Sequence, residues 1–294
     1  MHTRGYGQWP GVHVRMRQPV RWLALAAAAV SLGAAPGRPA PSYEVYAIRY
    51  ASVKGFKVSS LIADADTSRR LDIAMTVWLM KGSDGRIVLM DAGFKREDLI
   101  QRWKPADYVT PAAALERFGV PREAVTDLII SHVHWDHLDG ADLFPNARIW
   151  IQKDEYEHHI DSTGKRLANA IDTADATMLY NMKRAGRVTL VDGDAREIIP
   201  GITVYIGGKH TFQSQYAGVR TAEGVVVLAS DNMYLYENLE RHVPISQTLD
   251  AVSNLAAQDR MKTIASSPRL IVPGHDPKVF ERFPEPGNGV ARIR

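Results

Sequence analysis

The feature that most constrains this chain is a cluster of metal-binding side chains directly after a short apolar run. The run from Val125 to Ser131 (VTDLIIS) predicts a buried strand. The six residues after it read HVHWDH and contain His132, His134, Asp136 and His137. Imidazole nitrogens and carboxylate oxygens are ligands that zinc and similar divalent ions take, and such a string rarely arises by chance. The segment therefore predicts a metal centre at the end of a strand.

The absence of cysteine from the chain narrows the chemistry of that centre. It excludes disulfides, iron-sulfur clusters, cysteine-based zinc knuckles and thiol nucleophiles, so any metal must be held by histidine and carboxylate. Three more candidate ligands follow predicted strands, at His210 in GGKH, at Asp231 after VVVLAS and at His275 in VPGH. The remaining histidines of the body are interpreted as ordinary structural or surface residues: His158, His159 and His242.

Strand-like and helical segments alternate from Ser42 to the end of the chain. The predicted strands are Tyr43 to Tyr50, Ile73 to Met80, Ile87 to Met90, Val125 to Ser131, Arg148 to Gln152, Val188 to Val191, Ile202 to Ile206, Val225 to Ala229 and Leu270 to Val272. The predicted helices are Pro111 to Phe118, Lys153 to Ile160, Thr173 to Ala185 and Ser246 to Ala265. This order favours two sheets covered by helices. We find no linker after Pro41 and expect residues 36–294 to form a single domain.

Residues 1–35 have the pattern of a secretory leader. Arg15, Arg17 and Arg21 precede an apolar stretch, Trp22 to Leu32, that is too short to cross a bilayer as a permanent helix. Met16 is the more usual start, and small residues up to position 35 offer cleavage points. We expect a secreted or periplasmic protein without stable membrane insertion once the leader is removed. An ordinary N-terminal helix packed on the body is the alternative.

The charge of the chain argues against a nucleic-acid partner. Residues 1–35 carry four arginines and no acidic residue, which is more than the whole net charge of +3 and leaves −1 for the rest. A body close to neutral lacks the basic surface on which nucleic-acid binding depends. We therefore expect a small-molecule substrate.

The order of the candidate ligands resembles that of the metallo-β-lactamase superfamily. The resemblance implies a four-layer αβ/βα sandwich with a dinuclear site at one edge of its two sheets, with two divalent ions that we expect to be Zn²⁺. It implies His132, His134 and His210 on the first ion, Asp136, His137 and His275 on the second, and Asp231 as a bridge. Asp91 in MDAG fits the early Asp-x-Gly that supports the site in that family.

One residue near Asp231 indicates which branch of the superfamily the chain resembles. Tyr234 is similar to the tyrosine that N-acyl homoserine lactonases place over their metals. The resemblance implies a quorum-quenching hydrolase that opens lactone esters with a metal-bridging hydroxide. Tyr234 would stabilise charge on the substrate, and Asp136 or Asp231 would return a proton to the leaving group.

Several alternatives stay open at this point. β-Lactamases of the superfamily usually have Cys or Ser where this chain has Asp231, but a β-lactamase-like hydrolase and a secreted organophosphate or aryl ester hydrolase remain competitors. A non-catalytic metal-binding protein is the alternative of another class, and a homodimer is left open. The candidates for an apolar pocket wall, each of which could equally be core, are Phe56, Trp78, Trp135 and Tyr236.

Overall fold

Two β-sheets face each other in the computed structural model, which describes residue 11 and residues 40–283 and 289–294. The strands are β1 (Tyr43–Lys57), β2 (Arg70–Gly82), β3 (Ile87–Met90), β4 (Asp127–Ile129), β5 (Arg148–Gln152), β6 (Val188–Val191), β7 (Arg196–Ile199), β8 (Ile202–Ile206), β9 (Gln215–Thr221), β10 (Gly224–Ser230), β11 (Ile271–Pro273) and β12 (Val290–Arg292). The first sheet has the order β12-β1-β2-β3-β4-β5-β6, and the second has the order β11-β10-β9-β8-β7.

α-Helices pack against both sheets. They are α1 (Glu97–Trp103), α2 (Pro111–Arg117), α3 (Trp135–Leu138), α4 (Lys153–His159), α5 (Thr173–Arg184), α6 (Tyr236–Arg241), α7 (Ala251–Ile264) and α8 (Lys278–Arg282). Helix α2 begins where the sequence predicts, because Pro111 occupies its first turn and the Thr110 side chain accepts a hydrogen bond from the Ala113 amide.

Three apolar layers hold these elements together. Leu128 and Ile149 of the first sheet pack against helices through residues such as Leu179. Between the sheets, residues of both inner faces meet, among them Trp78 of β2 and Val226 of β10. A third layer joins the outer face of the second sheet to α7. This arrangement confirms the predicted four-layer αβ/βα sandwich.

Two predicted elements are shorter by several residues in the structure than in the prediction. Strand β4 ends at Ile129 rather than at Ser131, whose amide donates to the Asp91 carboxylate at 2.8 Å instead of pairing with a strand. Helix α7 begins at Ala251 rather than at Ser246, because the Asp250 carboxylate accepts the amides of the helix's second and third residues at 3.0 and 3.2 Å. Both differences leave the polar residues of these segments free to contact the candidate site.

Residues 40–294 form one compact unit. Of residues 1–39, only Gly11 is described. The predicted leader, with its start at Met16 and its cleavage points, lies outside the described residues and stays a prediction. Within the described ranges, no helix is long and apolar enough to span a membrane.

Candidate metal centre

The carboxyl ends of five strands meet at one edge of the sandwich. Strands β3 and β4 run parallel in the first sheet, and β10 and β11 run parallel in the second. Their carboxyl ends therefore open on the same edge, which is where open α/β sheets place their sites. The segments that follow β3, β4, β8, β10 and β11 contain the predicted site residues: Asp91, the HVHWDH segment, His210, Asp231 and His275.

The structure brings all seven predicted ligands together in two groups. One group contains His132, His134, His210 and Asp231, and the other contains Asp136, His137 and His275. Within each group the ligand atoms lie within 4.8 Å of one another. The grouping matches the division into first and second ion that the family resemblance implies.

The three imidazoles of the first group point at a common position. His134 Nδ1 lies 3.0 Å from His132 Nε2 and 2.9 Å from His210 Nε2. Burial lowers the pKa of His134 and of His210 to about 4, and it holds the pKa of His132 well below its usual range. All three rings are therefore neutral at pH 7, which is the form that binds a metal ion.

The second group lies in a more negative environment. His137 Nε2 lies 3.6 Å from Asp136 Oδ2, and His275 Nε2 lies 3.8 Å from the same oxygen. Burial opposes protonation of His137 and His275, but nearby carboxylates, Asp231 foremost, outweigh it and raise the pKa of both rings. The field that draws protons to these rings would also attract a cation.

Asp231 lies between the two groups. Its Oδ2 is 3.3 Å from His210 Nε2 and 3.3 Å from His137 Nε2, while its Oδ1 is 3.0 Å from His275 Nε2. Burial alone would raise the pKa of Asp231, but His137 and His275 hold it well below its usual range. The carboxylate is therefore ionised and reaches both groups, as a bridging ligand must.

The hydrogen bonds behind the rings show that these residues fit a metal ion. His210 Nδ1 donates to the Gln247 carbonyl at 2.7 Å, and His275 Nδ1 donates to the Ala74 carbonyl at 2.9 Å. Each ring therefore presents the lone pair of Nε2 to the cluster. His137 Nε2 and Asp231 Oδ1 are buried and form no well-aligned hydrogen bond among the described residues, although an ion-pair partner lies 3.3 and 3.0 Å away, respectively. Such unsatisfied atoms are costly unless a cation meets them.

Asp91 is connected to both ligand groups by hydrogen bonds, consistent with the supporting role expected of it. It accepts hydrogen bonds from His137 Nδ1, from the Ser131 amide and from the Ser230 hydroxyl, each at 2.8 Å. Ser230 Oγ lies 2.9 Å from Ser131 Oγ, which lies 2.9 Å from His132 Nδ1. Since the carboxylate can only accept, Ser230 donates to Asp91, Ser131 donates to Ser230, and His132 donates to Ser131. This series of hydrogen bonds turns Nε2 of His132 towards the other ligand atoms of the first group.

The backbone around the centre is strained or closely packed. Asp91 and Ser230 adopt left-handed conformations with φ of 62° and 46°, which non-glycine residues rarely do. Glycine is required at two of the turns that carry ligands. A Cβ at Gly207 would lie 2.0 Å from the Asn232 side chain, and one at Gly274 would lie 2.8 Å from Asp231 Oδ1.

A cleft of about 170 Å³ opens over the two groups. It is lined by Val53, Phe56, Leu61, Ile73, Met75, Trp103, His134, Trp135, Asp136, Asp231, Tyr234, Gln247 and His275. The rings of Trp103 and Trp135 stack at 5.1 Å, and those of Phe56 and Trp103 stack at 6.3 Å. The apolar wall comes mainly from β1, β2 and the segment between them. The cleft can therefore hold an apolar group beside the polar centre.

The structure separates the four candidates for that wall. Phe56 and Trp135 line the cleft, as predicted. Trp78 and Tyr236 do not, and for these two the alternative of a core position holds. They are buried between the two sheets, because alternate residues of β2 point inward and because α6 packs against the same layer.

Tyr234 is the third predicted catalytic residue, after Asp136 and Asp231, and all three line the cleft. Its hydroxyl lies 3.4 Å from His210 Nδ1. Burial and the Asp231 carboxylate raise the pKa of Tyr234 well above its usual value, so its hydroxyl keeps its proton.

The other three histidines of the described residues, His158, His159 and His242, lie outside both groups. His159 Nδ1 donates to the Glu155 carbonyl at 2.7 Å, and the His158 ring stacks on Phe212 with centroids 3.9 Å apart. His242 Nε2 lies 3.2 Å from Asp259 Oδ1. These contacts agree with the ordinary roles assigned to them.

Several supporting residues have no signal in the sequence that would have found them. Ser131, Ser230 and Asn232 flank ligands but are common turn residues, and Gln247 contributes only its backbone carbonyl. The Asn232 carboxamide accepts the Gly208 amide at 2.7 Å and the Ser214 hydroxyl at 2.9 Å, so it holds the loop that carries His210. Adjacency to a ligand was the only available indication.

Comparisons with known proteins agree with this geometry. The family model described as metallo-beta-lactamase superfamily matches residues 74–275. An N-acyl homoserine lactonase of a Bacillus species is 27% identical over 233 residues, which cover 74% of this chain and 87% of the relative.

Solved structures show the same fold. The crystal structure of a B. thuringiensis AiiA variant with N-decanoyl-L-homoserine bound at its active site has a TM-score of 0.68 and 22% identity, covering 83% of this chain and 98% of that one. A structure of AidC, a dizinc quorum-quenching lactonase with a product bound, has a TM-score of 0.59 and 15% identity, covering 87% of this chain and 94% of that one.

Proposed function

The chain belongs to the metallo-beta-lactamase superfamily, and on that premise we propose that it is a metal-dependent hydrolase that opens the ester bond of lactones, with N-acyl homoserine lactones as the substrate class. The observation that carries this proposal is the Asp231 carboxylate, which lies within 3.3 Å of ligand nitrogens in both groups beneath a cleft that also contains Tyr234. The lactonase relative and the shape of the cleft support the choice of substrate.

The ligand set favours two divalent ions, and we propose Zn²⁺ because histidine nitrogen and carboxylate oxygen suit it. His132, His134 and His210 would hold the first ion, Asp136, His137 and His275 would hold the second, and Asp231 would bridge them. When bound, two such ions supply hydroxide at neutral pH and polarise the substrate carbonyl.

The remaining steps belong to the chain's own residues. Tyr234 donates a hydrogen bond to the substrate carbonyl or ring oxygen as negative charge develops there. When the bond between the carbonyl carbon and the ring oxygen breaks, the ring oxygen needs a proton to become a hydroxyl group. Asp136 or Asp231, which both line the cleft, can accept the proton that the attacking water gives up and pass it to the ring oxygen. The stacked tryptophans and the aliphatic wall bind the acyl chain and limit the access of water.

A hydrolysis panel tests the proposal. Zn²⁺-loaded protein is supplied with N-acyl homoserine lactones, aryl esters, phosphotriesters and a β-lactam, and proton release is followed for each. We expect kcat/KM to be highest for the lactones. No lactone turnover above the aryl ester rate would reject the proposal, and preferred turnover of phosphotriesters would establish the organophosphate alternative. Metal binding without turnover of any substrate would favour the alternative of a non-catalytic metal-binding protein.

We also propose that the protein acts outside the cytoplasm, in the periplasm or after secretion. The support is the order of basic, apolar and small residues within positions 1–35.

A further inference from the structure

A buried carboxylate lies beside the metal centre without belonging to either ligand group. Glu155 is on α4 and is 0% exposed. Its Oε1 accepts a hydrogen bond from the Val133 amide at 3.2 Å, and its Oε2 accepts one from the Gln213 amide at 2.6 Å. One side chain therefore connects two backbone segments that are 80 residues apart in the sequence.

Both of those segments carry ligands of the first group. Val133 lies between His132 and His134, and Gln213 lies three residues after His210 in the loop from β8 to β9. The three imidazoles that point at one position thus come from two loops, one from each sheet. Glu155 is the side chain that accepts an amide from each loop.

A carboxyl side chain is unusual at so buried a position. Within the described residues, no lysine or arginine forms an ion pair with it, and the nearest basic atom is His159 Nδ1 at 3.9 Å. A buried carboxylate without a cation is costly unless hydrogen bonds satisfy it. Here two backbone amides donate those hydrogen bonds, and they come from the two loops that carry the candidate ligands of the first group.

We propose that Glu155 is a positioning residue that fixes the spacing of the two loops and thereby sets the affinity of the first metal ion. The inference rests on the proposed function only for the existence of the metal site, and it does not depend on the substrate. Partners that orient metal ligands commonly change metal affinity by about 10–100-fold when they are replaced.

The test compares two substitutions on the same helix. Glu155→Gln keeps the size of the side chain but turns an NH₂ group towards one of the two amides, so one loop loses its acceptor. Glu157→Gln removes the same charge at an exposed position of α4. In a competition titration with a chromophoric chelator, we expect Glu155→Gln to weaken the binding of one of two Zn²⁺ ions by about 10–100-fold. Glu157→Gln should bind both ions as the unchanged protein does.

A second measurement separates positioning from general stability. The Co²⁺-substituted protein reports ligand geometry in its absorption spectrum. We expect Glu155→Gln to change that spectrum at saturating Co²⁺ and Glu157→Gln to leave it unchanged. A variant that is only less stable to heat, with unchanged Zn²⁺ affinity and Co²⁺ spectrum, would overturn the inference.

If Glu155→Gln fails to fold, as circular dichroism would show, Glu155→Asp decides. The shorter carboxylate keeps the charge but cannot reach both amides, so the loss of affinity should remain, and unchanged affinity would overturn the inference.

Failure of the proposed function has a different signature. If the unsubstituted protein binds no Zn²⁺, the proposed metal site is rejected. If it binds two ions tightly but does not hydrolyse lactones, only the proposed substrate class is rejected.

Discussion

At the scale of single residues, two tyrosines in the segment MYLYENL have different surroundings. Tyr234 lines the cleft and contacts His210, whereas Tyr236 is buried between the sheets with Arg282 over its ring at 3.6 Å. The hydroxyl groups of both are nearly inaccessible to solvent, but only that of Tyr234 is beside the candidate ligands. The pair therefore offers matched substitutions for testing a catalytic hydroxyl.

We expect Tyr234→Phe to lower kcat for lactone hydrolysis by roughly ten- to a thousandfold, because it removes a donor to the developing negative charge. Steady-state kinetics on the metal-loaded protein measures the effect, with KM changing less than kcat. Tyr236→Phe serves as the control and should leave both constants unchanged. An unchanged kcat for Tyr234→Phe would assign its hydroxyl to packing rather than to catalysis.

The sequence predicts the candidate metal ligands better than the residues that support them. The seven candidate ligands are recognisable because His and Asp at strand ends have one chemistry in common. Glu155 and Ser230 could not be found in that way, because their partners are backbone amides or side chains far away in the sequence. Only the folded chain shows which carboxylate meets which amide.

At the scale of elements, one guanidinium ties the metal-binding segment to two helices. Arg96, just before α1, donates to Asp139 at 2.7 Å, immediately after α3, and also to Asp172 and Asp175 at the start of α5. Burial raises the pKa of Asp175 to about 8, although Arg96 opposes the shift, and the Asp139 carboxylate adds to it. Asp175 therefore holds a proton in the native state at neutral pH.

This raised pKa gives the stability a definite dependence on pH. The unfolded chain loses the Asp175 proton near pH 4, but the native state keeps it until about pH 8, so the native state is progressively disfavoured across that interval. We expect Asp175→Asn, which needs no such proton, to stabilise the protein by about 1–3 kcal/mol more at pH 8.5 than at pH 5. Urea unfolding of metal-free protein at the two pH values measures this difference.

Asp172→Asn is the control for that experiment. Asp172 contacts the same guanidinium, but its side chain is 44% exposed, and such pairs contribute less than about 1 kcal/mol. If Asp175→Asn increases the free energy of unfolding as much at pH 5 as at pH 8.5, the result would contradict the raised pKa of Asp175.

The elements themselves were predictable where apolar periodicity is strong. Strands β3, β5 and β8 lie where the sequence places them, and β2 extends beyond its predicted bounds at both ends. Strand β9 was not predicted, because its sequence QYAGVRT contains polar residues and a glycine inside a strand that is almost wholly buried. Gln215 is tolerated there since its side chain bonds to the Ile130 carbonyl at 2.8 Å and to the Gln152 side chain at 3.0 Å. Strand β9 therefore depends on tertiary hydrogen bonds, which a local sequence pattern does not show.

At the scale of the whole molecule, the ligand groups connect the two sheets. The HVHWDH segment follows a strand of the first sheet, whereas His210, Asp231 and His275 follow strands of the second. Ions bound across this boundary would stabilise the native state and not the unfolded chain. The gain is about 4 kcal/mol for one ion present at a thousand times its Kd.

Removal of metal should therefore lower the thermal stability of the protein as a whole. We expect excess EDTA to lower Tm by about 8–16 °C for each ion removed, as measured by scanning fluorimetry. EDTA that has been saturated with Zn²⁺ beforehand should have no effect. Elemental analysis of supplemented protein should return two ions per chain, and fewer than one would contradict the metal centre.

The division of labour around the cleft has a consequence for how such an enzyme can diversify. The aliphatic wall is built by Val53, Leu61, Ile73 and Met75 from the first hairpin of the chain and its connection, and none of these segments carries a ligand. Mutations there can reshape preference for the organic part of a substrate while the reacting centre stays intact. New specificities are therefore accessible to this scaffold through a few neutral or mildly adaptive changes in one stretch of sequence.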